Sequence, residues 1–243
     1  MTGRTLRAVT FDYWRTLVWE PPGELERLRV EHFAPLLVRA GLAVSDEQLR
    51  AAHAAAFARA SASWRANVQY RVEHAADDIL DHLGADVDAH VRGELAQAFS
   101  DAGRQTPLQL APGIEDALVS IRSKGLRVGI VCDVGLTPSP VLREHLERHG
   151  LLELFDHWSF SDETGDYKPA TAPFVHACRG LHVSAEHVAH VGDQRRTDIV
   201  GAMKAGIVAV RYAGVFDDLD SSFPSGDVVI EHHDALMGAL GIA

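Results

Sequence analysis

Cysteine is scarce in this chain. Cys132 and Cys178 are its two, each set within an apolar stretch. Two isolated thiols exclude a disulfide framework and fit a reducing compartment. Long apolar runs are missing too. No stretch approaches the roughly 18 residues that a membrane span requires, and the opening MTGRTLRAVTFDYW lacks the apolar core of a secretory signal. The expected location is therefore the cytoplasm, with no membrane partner. Positive charge is short: 23 Lys and Arg against 34 Asp and Glu give a formal net charge of -11. A nucleic-acid partner needs a basic face, so that class is excluded. A small phosphorylated molecule stays open, because one site can be locally positive in an acidic protein. There is no internal repeat, and low complexity is limited to mild alanine enrichment between Ala40 and Ala76.

What is present suits a folded enzyme-sized chain. The 243 residues are 47% hydrophobic and 23% charged, enough for one large domain or a domain with an insert. Leu6 to Phe11 is short and apolar and stops abruptly at Asp12, the pattern of a buried strand with an acid at its tip. Glu20-Pro21-Pro22-Gly23 then breaks the chain. From Glu24 to about Gln105 the period is helical, with stripes through Leu25, Leu28, Phe33, Leu36 and Leu37, then through Leu49, Ala52, Ala56, Phe57 and Ala60. Ser45 and Gln48 form a capping box at the start of the second stripe. Val72 to Leu83 and Val87 to Ala98 supply two more, so about four helices are expected.

After Pro107 the pattern alternates. A helix at Ile114 to Ile121 ends at Gly125, and Leu126 to Cys132 is continuously apolar. Ser139 and Pro140 open a further helix that Gly150 closes. Short apolar runs recur at Phe155–Phe160, Val188–Val191, Ile207–Tyr212 and Val228–Ile230, with helices between most of them. Strands alternating with helices predict an α/β fold with a parallel sheet covered on both faces. One strand precedes the helical block and the rest follow it, so the block is an insertion. The expected boundaries are 1–19 and 107–243 for the α/β core and 20–106 for the insert.

In open α/β sheets, ligands bind beyond the carboxyl ends of the strands. Here those ends carry Asp12, Cys132-Asp133 and Gly192-Asp193, and Lys168 lies in the loop after the third strand. Acids, a lysine and helix N-termini at one sheet edge suit phosphoryl chemistry: a carboxylate attacks phosphorus, an oxygen-ligated divalent cation offsets charge, and the lysine and backbone N–H groups take the remainder.

Four motifs in order then carry a resemblance. Asp12-Tyr13-Trp14-Arg15-Thr16-Leu17 resembles the first motif of the haloacid dehalogenase-like hydrolases, and the run ending in Cys132-Asp133 resembles the second. Ser161 to Pro169, containing Lys168, resembles the third. Gly192-Asp193-Gln194-Arg195-Arg196-Thr197-Asp198, with its two acids five apart, resembles the fourth. The helical insert sits where one subfamily carries its helical cap. The resemblance implies a doubly wound parallel-sheet, Rossmann-like core with an inserted helical-bundle cap. It implies Asp12 as nucleophile, Lys168 paired with Asp12 and the phosphoryl group, and Thr16 steadying the nucleophile loop. Magnesium would be held by Asp12, Asp193, the Trp14 backbone carbonyl and Asp198, the last directly or from just behind. Cys132, Asp133, Trp14 and Arg15 would line the substrate and its phosphate. The implied reaction is hydrolysis of a small phosphorylated metabolite, by a monomer or homodimer.

The sequence departs from that pattern at three places. Phosphatases of the family carry a second Asp two residues after the first, as proton donor; here that position is Trp14. The second motif usually ends in a hydroxyl residue, and Cys132 is a weak donor. Arg15 replaces a customary glycine. Three outcomes follow: a substrate with a good leaving group, another group such as Asp133 in the donor's place, or a different or lost activity. Metal-free dehalogenation of a 2-haloacid is one alternative, and a non-catalytic ligand- or partner-binding descendant is another. The fourteen histidines give no zinc pattern. His145 and His149 fall near a helix C-terminus, where the dipole favours them, and His182, His187 and His190 flank or occupy a strand without Cys or Glu companions. No histidine is tied by sequence to Cys132, so a cysteine nucleophile is not expected.

Overall fold

The computed structural model describes residues 5–242. Chain order runs β1 (Ala8–Phe11), β2 (Val18–Trp19), α1 (Glu24–Arg39), α2 (Asp46–Arg65), α3 (Val72–Leu83) and α4 (Ala89–Gln105). It continues with β3 (Gln109–Leu110), α5 (Ile114–Ser123), β4 (Arg127–Cys132), α6 (Ser139–Arg148), β5 (His157–Phe160), α7 (Ser161–Thr164) and α8 (Ala172–Leu181). The last elements are β6 (Val188–Gly192), a π-helical turn at Arg195–Ile199, α9 (Val200–Lys204), β7 (Val208–Tyr212), β8 (Val228–Ile230) and α10 (Leu236–Leu240).

The chain forms two compact units. Among the described residues, the first comprises 5–19, 109–133 and 146–242. Its six-stranded sheet has the order β5-β4-β1-β6-β7-β8, and every pair is parallel. Strands buried on both faces read as continuous apolar runs, as Val128 to Cys132, Val188 to Val191 and Val208 to Val210 do, all of them buried. From the central β1 the chain first builds outward through β4 and β5, then returns to build the other way through β6, β7 and β8. This is a doubly wound sheet, and its strand order reverses at β1 and β6, where the carboxyl ends splay to leave a crevice. One core cluster gathers Phe174, Leu181, Val188, Ile199 and Ala209 with Ala8 and Val131.

A two-stranded ribbon was not anticipated. Β2 pairs antiparallel with β3, Val18 facing Leu110 and Trp19 facing Gln109. At two residues each, the partners are too short to show any period. The ribbon stands at the two points where the chain leaves for, and returns from, the helical block.

The second unit comprises 20–108 and 134–145. Phe33, Leu37, Ile79, Leu80, Leu95 and Phe99 form its core, and Phe33 and Phe99 pack with ring centroids 4.9 Å apart. The Ser45–Gln48 box is present: Gln48 N donates to Ser45 Oγ at 3.2 Å and Ser45 N to Gln48 Oε1 at 2.9 Å. Phe57, counted in the apolar stripe of α2, is instead 54% exposed. It directly follows the buried Ala56, and the helical rotation of about 100° per residue carries it off the core face. Segment 134–145, which a boundary at 107 leaves with the α/β core, packs with the helices. Leu136 joins their apolar cluster, buried Arg29 donates from Nη2 to the Leu136 carbonyl at 3.0 Å, and Arg104 grips Glu144 through two hydrogen bonds. Two arginines and a glutamate far apart in sequence carry no local signal of such pairing.

Candidate active site

Asp12 directly follows β1. Its backbone N–H donates to the Val191 carbonyl at 2.8 Å, extending the β1–β6 ladder by one rung, so its carboxyl group is fixed at the switch point of the sheet. The chain then turns tightly: Leu17 N donates to the Tyr13 carbonyl at 2.9 Å and Arg15 N to the Val18 carbonyl at 2.6 Å. Within this turn Arg15 adopts a φ of 60°, the left-handed region that glycine enters without strain. Asp193 follows β6 just as Asp12 follows β1. Asp198 comes from the π-helical turn, whose wide first coil folds back toward the strand end. Gly192 makes that approach feasible: a Cβ there would lie 2.3 Å from Asp198 Cγ. Ligand oxygens of Asp12, Asp193 and Asp198 lie within 4.8 Å of one another, and all three residues are buried.

Lys168 closes the cluster. It is 2% exposed, and its Nζ donates to Asp12 Oδ1 at 2.6 Å and to Asp198 Oδ1 at 2.6 Å. Its backbone N–H donates to Asp133 Oδ1 at 3.0 Å, so Asp133 holds the loop that presents the lysine. Asp198 Oδ1 also faces His190 Nε2 at 3.2 Å, and its Oδ2 accepts from Gln194 N at 3.0 Å. Both oxygens of Asp198 are thereby engaged by protein. Asp193 differs: its Oδ2 is buried and has no hydrogen-bond partner among the described residues, its neighbour being Arg15 Nε at 3.1 Å. The Arg15 guanidinium in turn lies over the Phe216 ring, 4.4 Å from its centroid.

The electrostatics follow from burial. Desolvation raises the Asp12 carboxyl to about 7 against the pull of Lys168. Asp193 is pushed well above the usual carboxylate range, again by burial, with Arg15 opposing. Burial would raise Asp198 too, but Lys168 and His190 outweigh it and hold this carboxyl below its ordinary value. Lys168 stays protonated because the charges of Asp12 and Asp198 overcome its desolvation. His190, fully buried, is pushed down by burial and is therefore neutral. A neutral imidazole facing a carboxylate donates from Nε2, leaving Nδ1 to accept from Thr10 Oγ1 at 3.0 Å.

The other sequence candidates are distributed around this centre. Cys132 ends β4, and burial raises its thiol well above the ordinary value, as suits an unreactive sulfur. Trp14 is half-buried and packs edge-on against the buried Tyr13, with ring centroids 5.2 Å apart. The Thr16 hydroxyl is buried without a hydrogen bond among the described residues, while its carbonyl faces His233 Nε2 at 2.8 Å. His233 stacks on Tyr212 at 4.1 Å, so the C-terminal segment braces the turn after Asp12. Thr10, Phe216 and His233 were not singled out from the sequence, and His190 was weighed there only as a zinc ligand and set aside. For His190 a signal existed, since it is the polar residue inside the apolar run Val188–Val191; Phe216 and His233 lie beyond all four motifs.

Comparison with known proteins gives the family and the fold. A family profile described as haloacid dehalogenase-like hydrolase matches residues 6–206. A glyceraldehyde 3-phosphate phosphatase of Methanopyrus kandleri is 32% identical over 145 residues, 59% of this chain and 60% of that protein. The chain thus spans less than two thirds of that relative. A phosphoglycolate phosphatase of Cereibacter sphaeroides is 30% identical over 165 residues, covering 65% of this chain and 71% of its own. Among solved structures, a 2-haloacid dehalogenase from Pseudomonas syringae superimposes with a TM-score of 0.72 at 23% identity, over 98% of this chain and 99% of its own. That likeness concerns the fold.

Proposed function

Because the chain belongs to the haloacid dehalogenase-like hydrolase family, we propose that it is a magnesium-dependent phosphatase acting on a small phosphorylated metabolite through an aspartyl phosphate on Asp12. The observation that carries this reading is the Lys168 ammonium bridging Asp12 and Asp198, with Asp193 within 4.8 Å, at the switch point of the sheet. The all-oxygen donor set and the buried, unbonded Asp193 Oδ2 fit a hard divalent cation. Asp193, Asp12 and the Trp14 carbonyl would hold it, with Asp198 behind them fixing Lys168. When bound, the ion offsets charge on the phosphoryl oxygens and lowers the pKa of Asp12.

The residues then divide the work. Asp12 presents its free carboxylate oxygen to phosphorus; the new O–P bond forms as the bond to the leaving oxygen breaks. Lys168 keeps Asp12 oriented and takes up charge on the transferring group. Asp133 holds the Lys168 loop, and Arg15, 36% exposed, offers its guanidinium to a substrate anion beside the cluster. Water then cleaves the aspartyl phosphate, returning the Asp12 carboxylate and inorganic phosphate. With Trp14 where a proton donor would stand, substrates whose leaving group departs unprotonated, such as acyl or anomeric phosphates, suit the site best. The names of the relatives, phosphatases of small phosphorylated compounds, support the substrate class.

The test is hydrolysis of acetyl phosphate and an activated aryl phosphate with magnesium. Both are turned over, and Asp12→Asn lowers the rate by about a thousandfold or more. Halide release from 2-chloropropionate in chelator, with no phosphatase activity, overturns the reading in favour of a dehalogenase.

A further inference from the structure

Arg15 is the least expected residue of the site, and its placement has a chemical meaning. A side chain larger than glycine stands in a left-handed turn at φ 60°, a conformation that disfavours it. From there its Nε reaches Asp193 Oδ2 at 3.1 Å, while Phe216 supports the guanidinium face at 4.4 Å. The same Oδ2 is buried and makes no hydrogen bond among the described residues. Asp193 therefore faces the Arg15 cation directly, with Lys168 acting more weakly, and it is also the carboxylate best placed to ligate an ion. Magnesium binds carboxylate oxygen at about 2.0–2.1 Å. With a guanidinium nitrogen already 3.1 Å from that oxygen, the two positive groups would repel at close range.

We propose that Arg15 is an internal counter-cation of Asp193 that a divalent ion must displace, so that Arg15 sets the affinity of this chain for the ion. The geometry favours displacement over permanent pairing. The contact makes no hydrogen bond at Oδ2 among the described residues, unlike the two-pronged guanidinium face that makes arginine–carboxylate pairs strong, and the side chain is 36% exposed, with solvent into which to swing. Once released from Asp193, the guanidinium is free for the phosphoryl or another anionic group of the substrate. Cation entry and anion capture are in this way coupled through one side chain.

The inference rests on Asp193 being the metal acid, and the experiment separates the two. Magnesium is titrated calorimetrically, without substrate, into the full chain, Arg15→Gly, Arg15→Gln and Asp193→Asn. Glycine relieves the left-handed backbone and glutamine keeps it, so the second variant serves if the first misfolds. Magnesium is expected to bind both Arg15 variants about tenfold more tightly than the parent, and millimolar guanidinium ion is expected to weaken binding again in Arg15→Gly. Unchanged or weaker binding in both overturns the proposal. Loss of binding in Asp193→Asn alongside that result leaves the metal reading standing. If Asp193→Asn binds magnesium as well as the parent, the metal reading falls and this proposal with it.

Discussion

An isolated ammonium as deeply buried as that of Lys168 would shed its proton. Lys168 keeps it because two carboxylates lie at 2.6 Å, and the same contacts keep Asp198 ionised. At the scale of single residues, then, the site is a set of charges that hold one another in place. Asp12, Lys168, Asp193 and Asp198 were legible in the sequence, because each sits at a strand end or in a motif of fixed spacing. The Arg15–Asp193 contact was not, since nothing local tells which way a long side chain points. Trp14 makes a prediction at this scale. Trp14→Asp restores a proton donor two residues after Asp12 and is expected to raise turnover of alkyl phosphates about a hundredfold, with a smaller change on acyl phosphates. Steady-state rates on paired substrates check it, and an equal change on both classes would show that protonation was not limiting.

Among the elements, the junction of β6 with the π-helical turn is tightly constrained. The strand and its terminal Gly192-Asp193 were plain from the apolar run; the π-helical turn was not, because the sequence pattern of one widened coil resembles that of an ordinary helix start. Gly192→Ala forces a Cβ to within 2.3 Å of Asp198 Cγ. A loss of about 1–3 kcal/mol in urea unfolding is expected, together with loss of the magnesium-induced thermal shift as Asp198 is pushed off Lys168. Gly93→Ala in α4, where a Cβ meets nothing within 4 Å, is the control and should be neutral or stabilising. The regular elements were readable because burial imposes a period on them. Β2 and β3 were not, being too short to have one, and Phe57 strayed because the period was followed one residue too far.

For the molecule as a whole, buried histidines contribute to the response to acid. Burial lowers both His53, in the helical unit, and His233, in the α/β unit, to about 4 from an ordinary 6.5. Between about pH 6.5 and 4 the unfolded chain takes up protons that the folded one refuses. The contribution of these two histidines to stability is therefore full above pH 6.5 and is lost as the pH drops toward 4, against an opposite contribution from Asp12, whose carboxyl burial raises to about 7. His233→Gln retains a donor for the Thr16 carbonyl but does not titrate. It is expected to narrow the drop in thermal midpoint between pH 7 and 5 by about 4 °C, measured calorimetrically at each pH. The doubly wound architecture was readable from the alternation of strands and helices. The assignment of 134–145 to the helical unit was not, resting as it does on Arg29, Leu136, Arg104 and Glu144, which meet across the sequence.

The small β2–β3 ribbon has a consequence for how this chain can vary. By pairing Val18 with Leu110 and Trp19 with Gln109, it brings the departure and return points of the intervening segment side by side, as the stem of a hairpin does. The cost of closing such a loop grows only with the logarithm of its length. Helical blocks of other sizes can therefore be exchanged at this stem with the parallel sheet left in register, provided that the new block also covers Leu136 and its segment 134–145.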